Sequence, residues 1–292
     1  MKNVRYIFWL IGLMLVLGSA TTALFVFLPR FIQWETSAIL LNGMSASMMR
    51  LQLAIQTLLM FFVPAWVVYR MLSRDGMLFT QSPFRTYWLS KRGVMLSVLL
   101  SILALPLVSF LGAWNASWSL PEWALMMEQN AKLMTEFILK DANGVSLVVN
   151  LVVCAALPAV AEEFFFRGVL QTSFERSTGR SHLAIWLAAI IFSFFHLQFG
   201  GFIPRLFLGL VMGYLYYFGR NLWLPILAHF TNNAVAVLAY FIETRYASVG
   251  IKSKAIEHLF EAFGILHILS LLVLSWIIYV AVYRVSRKAV QE

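Results

Sequence analysis

Apolar stretches of roughly one membrane thickness recur along the chain, separated by short segments that gather the charge. A helix crossing a hydrocarbon core of about 30 Å needs about 20 mostly apolar residues. By that measure the pattern predicts eight spans, roughly at 6–28, 51–72, 93–114, 144–166, 183–199, 202–218, 222–242 and 262–283. The fifth and sixth are short and divided by Gly200-Gly201, which predicts a tight helical hairpin. The seventh opens on Leu222-Trp223-Leu224-Pro225, with proline in a first-turn position that it tolerates.

The segments between spans differ in kind. Residues 31–50 are mixed, and 119–140 alternates apolar residues with Glu122, Glu128, Lys132, Glu136 and Lys140; both read as interfacial helices. Residues 243–261, with Glu243, Arg245, Lys252, Lys254, Glu257 and Glu261, read as a polar loop or surface helix. The N-terminal apolar run to Leu28 exceeds the 7–15 residues of a signal-peptide core and lacks a clear cleavage site, so it reads as an uncleaved first span. No internal repeat or long linker is present. The expected fold is an all-α, polytopic transmembrane bundle of about eight spans.

Composition agrees. Of 292 residues 61% are hydrophobic and 12% charged, against about 45–50% and 25% in soluble domains, and the mean hydropathy is +0.80. The net charge of +9 is explained by topology rather than nucleic acid, because Lys and Arg collect in cytoplasmic loops. The loop after the second span (Arg70, Arg74, Arg85, Lys91, Arg92) and the tail (Arg284, Arg287, Lys288) dominate that bias, which puts both termini in the cytoplasm. The single cysteine, Cys154, lies in an apolar run and reads as a small core residue.

The polar groups inside the predicted spans that stand out are Glu162, Glu163 and Arg167 on the fourth, His196 near the end of the fifth, His229, Asn232 and Asn233 on the seventh, and His267 on the eighth. An ionised carboxylate in hydrocarbon costs several kcal/mol unless paired or hydrated. Glu163 and Arg167 are i and i+4 and pair on one face; Glu162 points about 100° away and is left for another task. Pro158, one turn earlier, frees the carbonyl of Cys154 and is expected to kink the helix. The bland reading makes Glu162, Glu163 and Arg167 the wet end of a span. Three helices each presenting an acid, imidazole or amide favour convergence instead, since polar residues of adjacent spans face the bundle interior.

A buried carboxylate beside an imidazole takes a proton from water and directs the hydroxide at a carbonyl, while a second imidazole and an amide donate to the oxyanion. One carboxylate and two histidines also make a catalytic zinc site with an open position. The spacing leaves both options open. No Gly-x-Ser-x-Gly elbow accompanies Ser193, and there is no phosphate-binding glycine loop.

Glu162-Glu163-Phe-Phe-Phe-Arg167 resembles the Glu-Glu-x-x-x-Arg motif of the CPBP intramembrane proteases, the CAAX-protease and bacteriocin-processing (Abi-type) group. Phe192-Ser-Phe-Phe-His196 resembles that family's Phe-x-x-x-His motif, and His229-Phe-Thr-Asn-Asn233 its His-x-x-x-Asn motif. The resemblance covers roughly 145–240. It divides the chain into an N-terminal transmembrane region (1–143), a catalytic core (144–243) and a polar loop with a final span (244–292). It implies a CAAX-protease-like intramembrane endopeptidase of a bacterial plasma membrane, acting on a membrane-bound protein or peptide. Glu162 would activate water with His196, His229 and Asn233 would support the oxyanion, and Glu163 and Arg167 would be supporting residues. The cofactor is either a divalent metal such as zinc, held by Glu162, His196 and His229, or none. The competing reading is a non-enzymatic membrane protein, a proton-coupled transporter or an immunity or scaffold protein using the same polar cluster.

Overall fold

The computed structural model describes residues 4–32, 45–75 and 91–246. Among these residues all regular structure is helical, in eight helices. They are α1 (Val4–Ile32), α2 (Ala46–Arg74), α3 (Lys91–Ala116), α4 (Glu122–Leu139), α5 (Gly144–Thr178), α6 (Ser181–Phe195), α7 (Phe202–Gly219) and α8 (Trp223–Tyr246). Six of them, all but α4 and α6, are long and apolar enough to cross a membrane. The helix expected within 119–140 is present as α4. The span expected at 262–283, residues 33–44 and most of the polar segment 243–261 lie outside the described residues.

The fifth expected span is corrected. α6 has 15 residues, about 22 Å at 1.5 Å per residue, which is short of the hydrocarbon core. It stops at His196 because Leu197 follows at φ 52°, a left-handed conformation that cannot continue a helix. The chain then reverses through a single tight turn, Phe199–Gly201, into α7. The expected hairpin exists, and its reversal begins ahead of the two glycines.

The fourth span is corrected in the other direction. α5 runs past 166 to Thr178 and closes at Gly179, whose φ of 66° suits a residue without Cβ. Two of the polar residues after 170 find acceptors inside the protein. Gln171 Nε2 donates to the Gly213 carbonyl at 3.2 Å and Thr172 Oγ1 to the Arg167 carbonyl at 3.1 Å. Two of the prolines within helices follow a wide turn. Residues Leu151–Ala156 wind as a π-helical turn directly before Pro158, and Leu58–Phe62 do so before Pro64. A wider turn accommodates the missing N–H and the ring without breaking the helix.

A third π-helical turn, Phe164–Gln171, follows the glutamate doublet, and every residue in it is buried. Phe164 packs on Phe62 and Tyr69, Phe165 edge-on to Phe61 at 5.5 Å, and Phe166 edge-on to Phe192 at 5.1 Å. The three consecutive rings therefore tie α5 to α2 on one side and α6 on the other, in geometries favoured between aromatics. On α2 the buried Arg50, which the sequence reading passed over, donates to Asn150 Oδ1 (2.8 Å), the Ile138 carbonyl (2.7 Å) and Asp141 (3.2 Å). It thereby fastens α2 to the α4–α5 junction.

In a bilayer, helices associate through close backbone packing rather than water exclusion. α6 and α7 show this where Gly213 faces Ile185: a Cβ on Gly213 would sit 2.8 Å from Ile185 Cγ2 and 3.1 Å from Gln171 Oε1. Gly213→Val is expected to lower stability by about 1–3 kcal/mol through overpacking, measured as a depressed thermal midpoint in detergent. The paired bonds Arg167 to Gly209 and Gln171 to Gly213 step along both helices in the same sense, so α5 and α7 run parallel with α6 returning between them. Ser101 Oγ donates to the Ala228 carbonyl at 2.7 Å, which joins α3 to α8 beside His229.

Candidate active site

Glu162 and Glu163 end the α-helical turns that follow Pro158, and the π-helical turn carries Arg167. Glu163 is 0% exposed, Arg167 1% and Glu162 8%. Charges at the wet end of a span would be hydrated, so the bland reading of this stretch fails.

Glu163 Oε1 accepts from Arg167 Nη1 at 2.8 Å and from His229 Nδ1 at 2.7 Å. Arg167 Nη2 donates to the Gly209 carbonyl at 2.9 Å, and its guanidinium lies 4.8 Å from the centre of the Phe192 ring. Arg167 is permanently cationic, which fixes Glu163 Oε1 as an acceptor and puts the shared hydrogen on His229 Nδ1. The link to Arg167 follows from i,i+4 spacing. The link to His229, 66 residues away, does not, and it changes the picture: the outer nitrogen of His229, Nε2, is the one left for other work.

Glu162 is different. Among the described residues it takes no hydrogen bond, and its Oε2 is buried without a partner. The charged groups acting on it are His229, Glu163 and Arg167. Glu163 Oε2 also lacks a donor, but its other oxygen carries two. The doublet thus consists of one carboxylate locked by a cation and an imidazole, and one free to accept.

His196 caps the C-terminus of α6, and its Nδ1 lies 2.8 Å from the Phe192 carbonyl. A carbonyl only accepts, so the hydrogen is on Nδ1, and in the neutral ring Nε2 carries the lone pair. Phe192 is the hub that the sequence marked only as a motif's first letter. Its ring meets His196 at 4.8 Å and His229 edge-on at 5.9 Å. Asn233 is half-buried one turn beyond His229 and accepts from Asn232 Nδ2 at 3.4 Å, which leaves its own amide hydrogens to donate. The structure thus joins Glu163, Arg167 and His229 directly, sets Glu162 beside them, and connects His196 through Phe192. Asn233 hydrogen-bonds none of these five.

Among the described residues no three His, Cys, Asp or Glu side chains gather in a way that could hold a metal ion. On His196 and His229 each Nδ1 is hydrogen-bonded, to the Phe192 carbonyl and to Glu163, and Nε2 is the nitrogen that remains.

Residues 144–235 match the family described as type II CAAX prenyl endopeptidase Rce1-like. The chain carries an Rce1-like domain. That domain begins with α5 and ends in α8, and so contains Glu162, Glu163, Arg167, His196, His229 and Asn233. α1 to α4 lie outside it. In Bacillus subtilis (strain 168) the protein described as uncharacterized protein YpbD is 33% identical over 90 residues, 30% of this chain and 43% of that protein. The chain thus matches less than half the length of that relative. No solved structure matches.

Two residues around the Rce1-like site escaped the sequence reading. Gln171 lies one turn beyond Arg167, so its spacing carried a signal. Glu128, on α4, accepts from the Gly200 backbone N–H at 2.7 Å, and nothing in the sequence spacing pointed to it.

Proposed function

We propose that this protein is an intramembrane endopeptidase that hydrolyses a peptide bond of a membrane-associated protein or peptide by water activated at Glu162. The observation that carries the reading is the asymmetry of the doublet. Glu162 is buried and accepts no hydrogen bond among the described residues, while Glu163 beside it is held by Arg167 and His229. A carboxylate with an oxygen left open is placed to accept a hydrogen from water.

In the reaction, Glu162 and the lone pair of His196 Nε2 accept the two hydrogens of a water and orient it. The water oxygen attacks the carbonyl carbon as its proton passes to Glu162. Charge develops on the carbonyl oxygen, and the donors available are the Asn233 amide and, in the imidazolium form, His229 Nε2–H. Glu163 balances that imidazolium through Nδ1, and Arg167 fixes Glu163. Collapse breaks the C–N bond, and the proton held by Glu162 goes to the leaving amine, giving a carboxylic acid and an amine. The Bacillus relative and the six candidate spans support a bacterial plasma membrane as the location, with residues 144–243 as the catalytic core.

The test compares membrane peptidomes of cells carrying the native chain, Glu162→Ala or His196→Ala. A fragment present only with the native chain is expected. Identical peptidomes in all three would overturn the reading.

A further inference from the structure

The loop that follows His196 is held from outside the Rce1-like domain. Leu197 at φ 52° is a non-glycine residue in a left-handed conformation, which persists only where surroundings hold it. α4 supplies part of that hold through two side chains. Glu128 Oε1 accepts from the Gly200 N–H at 2.7 Å, and Trp123 packs edge-on against Phe199 at 5.2 Å. Arg205, on the first turn of α7, donates to the Gln198 carbonyl at 2.7 Å and to the Gln198 side chain. Arg205 acts electrostatically on both Glu128 and His196. The α7 end is fixed as well: Ser193 Oγ donates to the Phe202 carbonyl at 2.6 Å, and Asn115 of α3 accepts from the Ile203 N–H at 2.8 Å.

We infer that Glu128 is a positioning residue for His196, so that the catalytic unit includes α4 as well as the Rce1-like domain. The inference rests on the endopeptidase reading for its kinetic consequence, though not for its structural one. Glu128 hydrogen-bonds the loop after His196 and not the His196 ring itself. It satisfies the one loop amide, Gly200 N–H, that a side chain from another helix reaches, and so sets where the turn begins and where the His196 ring stands. A displacement of about 1 Å at a reacting group is enough to lose about 10²-fold in rate.

The discriminating pair is Glu128→Met and Glu128→Gln in the full chain. Both keep the length of the side chain, but only glutamine keeps an oxygen that accepts the Gly200 N–H. In lipid nanodiscs, hydrogen exchange over residues 197–201 is expected to rise at least about tenfold in Glu128→Met and stay near wild type in Glu128→Gln. This readout needs no substrate, and unchanged exchange in Glu128→Met would overturn the inference. With the cleaved peptide identified, Glu128→Met is expected to lower kcat by about 10–100-fold with KM within about twofold, and Glu128→Gln to recover kcat to within about threefold. A wild-type kcat in Glu128→Met alongside an inactive Glu162→Ala would overturn the positioning role and leave the endopeptidase reading standing. Full activity in Glu162→Ala would overturn that reading, while the exchange result would still decide the loop contact.

Discussion

Glu162→Gln is expected to reduce cleavage by about 10²–10⁴-fold, the usual weight of a general base, while leaving the thermal midpoint in detergent at or slightly above the wild-type value. The two halves follow from the same observation. Glu162 is 8% exposed and accepts no hydrogen bond among the described residues, so an amide of the same shape loses no partner. It also removes a carboxylate whose burial is costly. Function and stability thus pull apart at this position, as they do where an active site retains an unfavourable group. A Glu162→Gln variant that is strongly destabilised would mean that the carboxylate is held by contacts and is structural. One that is stable and fully active would remove it from the chemistry.

Arg167→Met is expected to do the reverse, with a loss of stability of about 3–5 kcal/mol, the scale found when one partner of a buried ion pair is removed. The change strands Glu163 at 0% exposure with only His229 as a donor. It also deprives the Gly209 carbonyl of its bond from α5 and takes a cation from the face of Phe192. The double variant Arg167→Met with Glu163→Gln is expected to recover part of the loss, since the stranded charge goes with it. Thermal midpoints of the four chains, measured in one detergent, form the cycle. Strict additivity would show that Arg167 and Glu163 do not act as a unit.

Much of this was legible from residue order because it depends on local spacing. The long spans follow from apolar run length, the first-turn position of Pro225 from its place in the run, and the Glu163–Arg167 pair from a separation of four. That Glu163 and not Glu162 meets Arg167 follows from helical geometry, and the fold has that pair. What escaped is set by partners far apart in the chain or by backbone choices without a compositional mark. The His229–Glu163 bond spans 66 residues and the Glu128–Gly200 bond 72. Nothing in hydropathy separates α6, stopped by Leu197 at φ 52°, from a helix that crosses a membrane. The polar residues from Gln171 onward read as a loop because their acceptors, such as the Gly213 carbonyl, lie on another helix. Pro158 marked a disturbance correctly, but only the structure shows it absorbed by a wider turn.

The central claim is that Glu162 activates water for peptide hydrolysis. Its most direct test uses the purified full chain reconstituted in proteoliposomes with membrane proteins extracted from cells lacking it, and counts new peptide C-termini by mass spectrometry. The account predicts new termini with the wild-type chain that disappear in Glu162→Gln. The same termini, formed at the same rate by correctly inserted Glu162→Gln, would contradict it.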